Sequence, residues 1–400
     1  MLIDFINAME NIKQNNIIGT EVKKTLVIFP VLFGFFVMGF VDVVGIATNY
    51  IKEDFALSDI LANLLPMMVF LWFAICAIPA GLLMGRIGRR NTVLVSMAIT
   101  AIAMLLPICS YEFVCLLIAF TLLGIGNTLL QVSLNPMVAG IVRGELLVSI
   151  LTLGQFIKAV SSFLGPILAG VAAIYCGSWK LIFIVYMIAT LLSMAWLLFA
   201  VPSDHSEEKK TTLRSVWNLF SEHTILILFI GILAVVGIDV GLNTAIPKFL
   251  MERTGISLTE AGLGISLYFA ARTIGTFIGA VLLVKISSRV FMIACMGVAT
   301  ASFVFLLFAR ELWLLSVLII LIGLACSNAF SIIFSYALRY LPERSNEISA
   351  LMIMGVSGGA LVMPIMGWLS DSFGQVIGLL PLLCCIFYLG YISLKMKPVK

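Results

Sequence analysis

Apolar stretches of about twenty residues, each long enough to cross the hydrocarbon core of a bilayer as a helix, follow one another along nearly the whole chain. They fall at roughly 25–50, 59–84, 92–109, 113–141, 147–175, 180–201, 223–250, 258–284, 290–309, 313–338, 347–370 and 375–395, which makes twelve. In lipid a backbone N–H or C=O has no water to bond, so runs of this kind fold as helices that satisfy themselves. The fold class expected is an all-α membrane protein with twelve transmembrane helices. Composition agrees, with 62% hydrophobic and 11% charged residues, against about 45–50% and about 25% in soluble domains.

Connections between the runs are short, except for 202–222, which carries Asp204, Glu207, Glu208, Lys209, Lys210 and Arg214. This reads as a polar linker, so the expected organisation is a cytoplasmic segment 1–24, a six-helix bundle 25–201, the linker 202–222 and a second six-helix bundle 223–400. Lys and Arg favour the cytoplasmic ends of membrane helices. With both termini inside, the inner segments hold most of the cations, and only Lys52, Lys180, Lys248, Arg253 and Arg310 face the other side. Residues 1–24 lack the pattern of a cleavable leader, because the first apolar run is too long for one. Leu2, Ile3, Phe5, Ile6 and Met9 have the spacing of a short amphipathic surface helix.

Several function classes drop out. The net charge is +4, and basic patches with interleaved aromatics are absent, so nucleic acid is not an expected partner. The eight cysteines are scattered through the apolar runs, as small buried side chains are. The only histidines, His205 and His223, lie in or beside the linker. No set of ligands has metal spacing, so neither a metal nor a cofactor is expected. No nucleophile–base pair or appended soluble domain supports an enzyme.

Four charges lie deep inside the runs, away from their ends: Asp42, Lys158, Asp239 and Arg272. An ionisable group at bilayer depth costs about 2.5–3.5 kcal/mol on insertion scales, so it marks a functional site and wants a partner. The two acids sit in similar settings, Gly39-Phe40-Val41-Asp42-Val43-Val44-Gly45 and Gly237-Ile238-Asp239-Val240-Gly241. Asp42 matches Asp239, Gly85-Arg86-Ile87-Gly88-Arg89 matches Val284-Lys285-Ile286-Ser287-Ser288, and Pro166 matches Pro364, at offsets of 197, 199 and 198. Such a repeat gives two parallel bundles, an architecture that holds substrate near the midplane. The four charges sum to zero. One reading is two ion pairs, Asp42–Lys158 and Asp239–Arg272 or the crossed set, that lock helices together. The other is that an Asp takes up a proton while a cation holds substrate. A carboxyl that exchanges protons near pH 7 must lie well above the usual value of about 3.9. Desolvation raises that value and a neighbouring cation lowers it, so a ligand that engages the cation also promotes protonation.

Between the second and third runs stands Gly81-Leu82-Leu83-Met84-Gly85-Arg86-Ile87-Gly88-Arg89-Arg90, which resembles the G-x-x-x-D-R-x-G-R-K/R signature of the major facilitator superfamily. Gly85 stands where that signature has Asp, so the gating salt bridge of that Asp has no acid here. Arg86, Arg89 and Arg90 also suit simple anchoring at the cytoplasmic surface. Further stretches resemble the fucose and glucose/galactose proton-symporter family. Leu129-Leu130-Gln131-Val132-Ser133-Leu134-Asn135-Pro136 is similar to its L-L-Q/E-T-A-x-N-P, and Val236-Gly237-Ile238-Asp239-Val240-Gly241 to its V-G-A-E/Q-V-G. Phe277-Ile278-Gly279 with Ile286-Ser287-Ser288-Arg289, and Ile333-Phe334-Ser335-Tyr336-Ala337-Leu338 with Asp371-Ser372-Phe373-Gly374, resemble later motifs in the same order. Three departures stand out. The first-run acid of the family aligns with Gly45, one helical turn from Asp42. The fourth-run acid of the fucose branch is Gln131. The sugar-contacting Asn of Q-A-F-N-S aligns with Lys158 in Gln155-Phe156-Ile157-Lys158.

The resemblance implies a major facilitator fold of two six-helix bundles and a monomeric proton-coupled sugar importer of the bacterial inner membrane, working by alternating access. Asp42 and Asp239 are the proton-site candidates, with Asp239 in the closer motif match. Lys158, Gln131, Asn135, Gln155, Arg272 and Asn243 are the substrate candidates, and Gly81, Arg86, Gly88, Arg89 and Arg90 the gating motif. Lys158 admits an acidic sugar as well as a neutral hexose. Asn135-Pro136 should loosen the fourth helix, because Pro removes one backbone bond. The alternatives are an exporter or antiporter of other small molecules and, outside transport, a membrane sensor or enzyme.

Overall fold

The computed structural model describes residues 18–57, 61, 64–142, 144–202, 213–256 and 258–396. The expected surface helix near Leu2–Met9 and most of the polar linker lie outside them. Among the described residues there is no strand, and eleven helices are long and apolar enough to cross a membrane. The first, α1, runs over Ile18–Met38, a 3-10 turn Gly39–Asp42 and Val43–Asp54. Then come α2 (Leu64–Ile87), α3 (Arg89–Cys109), α4 (Phe113–Ile141), α5 (Glu145–Cys176) and α6 (Leu181–Ala200). A short helix, Leu213–Asn218, leads into α7 (His223–Thr254), α8 (Leu258–Leu282) and α9 (Ser288–Phe308). α10 comprises Leu312–Cys326 and Ala329–Tyr340. The run expected at 347–370 is α11, made of Ser345–Met354, a 3-10 turn Gly355–Ser357 and Gly358–Phe373. Gln375–Gly378 and Leu380–Lys395 form α12.

The chain forms two compact units. Unit 1 takes Met1–Arg143, Gly154–Trp217 and Arg344–Met354; unit 2 takes Gly144–Leu153, Asn218–Glu343 and Gly355–Lys400. The first turns of α5 thus belong with unit 2, and the first segment of α11 with unit 1.

Inside unit 1, α4 packs on α2 and α3, and α6 on α1 and α3. Inside unit 2, α7 packs on α8, α11 and α12, while α9 and α10 adjoin. The repeat seen in the sequence recurs in two contact types. A Cβ on Gly124 of α4 would meet the Val69 carbonyl oxygen of α2 at 2.4 Å, and one on Gly323 of α10 the Tyr268 carbonyl oxygen of α8 at 2.7 Å. Small residues let membrane helices approach this closely, and van der Waals packing then supplies the adhesion that water exclusion supplies elsewhere. Likewise Arg90 donates to the Leu198 carbonyl at 2.6 Å, and Arg289 to the Leu394 carbonyl at 3.1 Å. Each cation satisfies a carbonyl in the last turn of a helix, where no intrahelical donor remains and the dipole favours positive charge.

At one end of unit 1, Asp54 of α1 ties in the two loops that precede α4 and α6. Its Oδ2 accepts from the Tyr111 hydroxyl at 2.6 Å and from the Trp179 indole N–H at 3.3 Å. Lys180 caps the cluster with its ammonium 3.3 Å from the Tyr111 ring centroid. Burial, then the hydrogen bond and charge of Asp54, push the Tyr111 phenol well above its ordinary value, so it stays a donor.

Pro136 does not loosen α4, which is continuous from Phe113 to Ile141. The carbonyl left without a partner by the missing N–H is that of Val132, four residues earlier. It accepts instead from the Ser349 hydroxyl of α11 at 2.6 Å, inside unit 1.

The glycine contacts give a direct check. Gly124→Val drives a side chain into backbone that cannot yield, and overpacking of this kind costs about 1–3 kcal/mol. The melting temperature of the purified protein should fall for Gly124→Val and Gly323→Val. It should barely move for Gly297→Ala, where nothing lies within 4 Å.

Candidate functional site

Asp42 closes the 3-10 turn that interrupts α1. Glycines and β-branched residues on both sides weaken the local helix, and a tight turn inside a long helix commonly marks a working position. Four neighbours hold it. Gly39 lies where a Cβ would come within 2.6 Å of the Lys158 carbonyl oxygen, so α1 touches α5 through bare backbone. Phe40 stacks on Tyr186 of α6 with ring centroids 3.9 Å apart. The Asn127 amide of α4 donates to the Met38 carbonyl at 2.7 Å. Last, the Ser162 hydroxyl of α5 lies 2.5 Å from Asp42 Oδ2.

That serine has one hydrogen and a choice of acceptors. Besides Asp42 it lies 3.0 Å from the Lys158 carbonyl oxygen and 3.5 Å from that of Gly39. When Asp42 is ionised, Ser162 donates to it. When Asp42 is protonated, the acid donates to Ser162 Oγ and the serine hydrogen turns to a carbonyl. Both protonation states are hydrogen-bonded. Asp42 is also exposed, as is Gly45 one turn on, with open space where its Cβ would be. Lys158 and Gln155 are half-buried on α5. Among the described residues no salt bridge joins Lys158 to Asp42.

Asp239 has a different environment. α7 runs through Gly237–Gly241 unbroken, because a Cβ on Gly237 would meet Val362 of α11 at 2.6 Å and one on Gly241 would meet Leu382 of α12 at 2.6 Å. The glycines serve close packing and the helix stays straight enough to carry Asp239 to α8. There the Tyr268 hydroxyl donates to Oδ1 at 2.7 Å, and Arg272 pairs with Oδ2 at 2.7 Å. Tyr268 is fully buried, and the Arg272 and Asp239 side chains are 25% and 13% exposed. Both carboxylate oxygens are engaged, and protonation would leave the guanidinium without its counter-charge. Of the two same-unit pairs that the charges allow, this one is made. Asn243, a turn further along α7, is exposed.

The α4 candidates are committed internally. Gln131, 5% exposed, donates to the Asn127 side-chain oxygen at 2.7 Å. Asn135, 2% exposed, donates to the Gln131 carbonyl at 2.8 Å. Together with Asn127 they form a polar ladder that ends on the carbonyl before the α1 turn. The gating-motif residues separate by role. Gly81 meets Ala350 of α11, where a Cβ would be 2.5 Å from that of Ala350. Gly88 turns the chain from α2 into α3 with φ of 82°, a conformation that favours glycine. Arg86 is exposed. Arg89 donates to the Pro136 carbonyl at 2.9 Å, the Asn346 side chain at 3.0 Å and the Ser345 hydroxyl at 2.7 Å. Ser162 escaped the sequence reading although it sits one turn after Lys158, the spacing that shares a helix face.

The Asp239–Arg272 pair is open to a double-mutant cycle. Arg272→Gln strips a partly buried carboxylate of its cation and should destabilise the protein by about 1–3 kcal/mol, read as a drop in melting temperature. Adding Asp239→Asn should restore at least half of the loss, because neither charge is then stranded.

Comparison with known proteins follows the same lines. A model of the Major Facilitator Superfamily matches residues 30–249 and 227–399. A glucose/galactose transporter of Brucella abortus (strain 2308) is 26% identical over 377 residues, covering 90% of this chain and 91% of that protein. A putative glucose/galactose transporter of Helicobacter pylori (strain J99 / ATCC 700824) is 25% identical over 407 residues, covering 94% and 98%. Among solved structures, a variant of the E. coli fucose:proton symporter superposes with a TM-score of 0.81 at 16% identity, over 93% of this chain and 98% of that one. A bacterial homologue of the iron transporter ferroportin, in its outward-facing state, gives 0.78 at 15% identity over 93% and 98%. The fold is therefore that of these carriers. The chain is an integral membrane transporter that belongs to the major facilitator superfamily.

Proposed function

We propose that the protein imports a sugar with a proton by alternating access, as a monomer in a bacterial inner membrane with both termini cytoplasmic. Support for the sugar comes from the glucose/galactose transporters to which the chain is similar over nearly its full length. Support for the proton comes from one observation: Asp42 is exposed, has no cation against it among the described residues, and meets a serine able to serve either protonation state. Asp42 carries the proton. Asp239 remains paired with Arg272 and works as a fixed brace for α7 and α8. Lys158 and Gln155, half-buried on α5, and the exposed Asn243 reach substrate. Gln131 and Asn135 act behind them, holding the α1 turn in place through Asn127.

Lys158 favours a second reading of the substrate. No acidic side chain pairs with it among the described residues. With Asp42 protonated and the Asp239–Arg272 pair neutral, the loaded carrier holding a neutral hexose keeps the charge of Lys158. A hexuronate cancels it. Moving one net charge through the membrane field is worth about 2.3 kcal/mol per 100 mV, so the two substrates differ in how transport responds to membrane potential.

Uptake into proteoliposomes tests both parts, with glucose, galactose and glucuronate as probes at two pH values. An inward proton gradient should drive accumulation by the parent protein. Asp42→Asn should abolish accumulation while sugar–sugar counterflow stays within about tenfold, the span of a lost hydrogen bond. Accumulation by Asp42→Asn at the parent level overturns the proton assignment. Lys158→Gln should erase any preference for glucuronate over glucose.

A further inference from the structure

We propose that Ser349 is a latch, a hydroxyl that occupies the backbone acceptor Pro136 leaves bare on α4 and so sets how long the first segment of α11 stays docked in unit 1. The inference needs neither a sugar nor a proton to be the cargo. A proline inside a membrane helix leaves the carbonyl four residues earlier without its donor, and in lipid that group must find another. Val132 and Ser349 are both fully buried, so water does not reach this carbonyl while the segment is docked. The Ser349 hydroxyl meets it at 2.6 Å.

The bond comes from a segment with a joint behind it. Ser345–Met354 ends at the 3-10 turn Gly355–Ser357, and the residues after Met354 belong to unit 2. The Asn135-Pro136 step receives the segment twice. Arg89 bonds the Pro136 carbonyl with one N–H and Asn346 and Ser345 with others, and Ser349 reaches Val132 one turn away. A docked segment without this hydroxyl would bury a bare carbonyl, so the bond holds the segment in place until it leaves unit 1. An ordinary helix residue at 136 would remove that penalty, since its own N–H would satisfy Val132. Pro136 therefore turns a weak side-chain contact into one whose loss is costly, and the two residues act as a pair.

The pairing is what a test must read. Hydrogen–deuterium exchange of peptides covering Ser345–Met354 is measured on the full-length protein in lipid nanodiscs. In the native background Ser349→Ala should speed exchange of this segment by about fivefold, the effect of leaving one buried polar group unpaired. Ser349→Thr, which keeps the hydroxyl, should stay near the native rate. In a Pro136→Ala background Ser349→Ala should change the rate by less than about twofold, because the carbonyl then has an intrahelical donor. Equal acceleration in both backgrounds overturns the latch, as does no acceleration in the native one. So does a Ser349→Thr protein that behaves like Ser349→Ala.

Discussion

A polar group inside a bilayer has no solvent to fall back on, and the interhelical hydrogen bonds and the ion pair described above answer that requirement. Arg90 and Arg289 end on the last-turn carbonyls of α6 and α12. Asn127 covers the carbonyl before the α1 turn, and Ser349 covers the one that Pro136 bares. The charges obey the same rule with larger stakes: Asp239 takes Arg272 and Tyr268, and Asp42 takes Ser162. Apolar packing brings the helices together, and these pairings decide which helix meets which.

Two similar sequences give two different local structures. Around Asp42 the chain gives up regular helix for a 3-10 turn, and Gly39 spends its missing side chain on contact with α5. Around Asp239 the helix continues, and Gly237 and Gly241 make room for α11 and α12. A carboxylate beside a hydroxyl can gain or lose a proton without breaking an ion pair. A carboxylate clamped by a guanidinium cannot. The repeat thus places one acid beside a hydroxyl and the other in an ion pair.

Much of the fold was legible because the bilayer imposes length and hydropathy on each helix. The run read at 113–141 is α4 to the residue, and that at 180–201 is α6 within a residue at each end. The break in α1 was not legible, because its glycines are equally compatible with close packing, as α7 demonstrates. Rotation about a helix axis was also hidden: Gln131 and Asn135 stand in a polar motif, yet they bond within unit 1 and are almost fully buried. Charge summation pointed to Asp239 with Arg272 but offered the crossed set equally, and only the geometry of α7 on α8 selects. Ser162 had a weak signal in its one-turn spacing from Lys158. Ser349 had none, since its value comes from a proline far away in the chain.

Proton coupling in the proposed carrier depends on Asp42 changing protonation while Asp239 stays paired with Arg272. Infrared difference spectroscopy of the protein in lipid, stepped between alkaline and acidic pH, reads this directly through the carbonyl stretch of a newly protonated carboxylic acid. The band attributable to a membrane-embedded acid should vanish in Asp42→Asn and persist in Asp239→Asn. A band that survives in Asp42→Asn and is lost in Asp239→Asn would contradict the assignment.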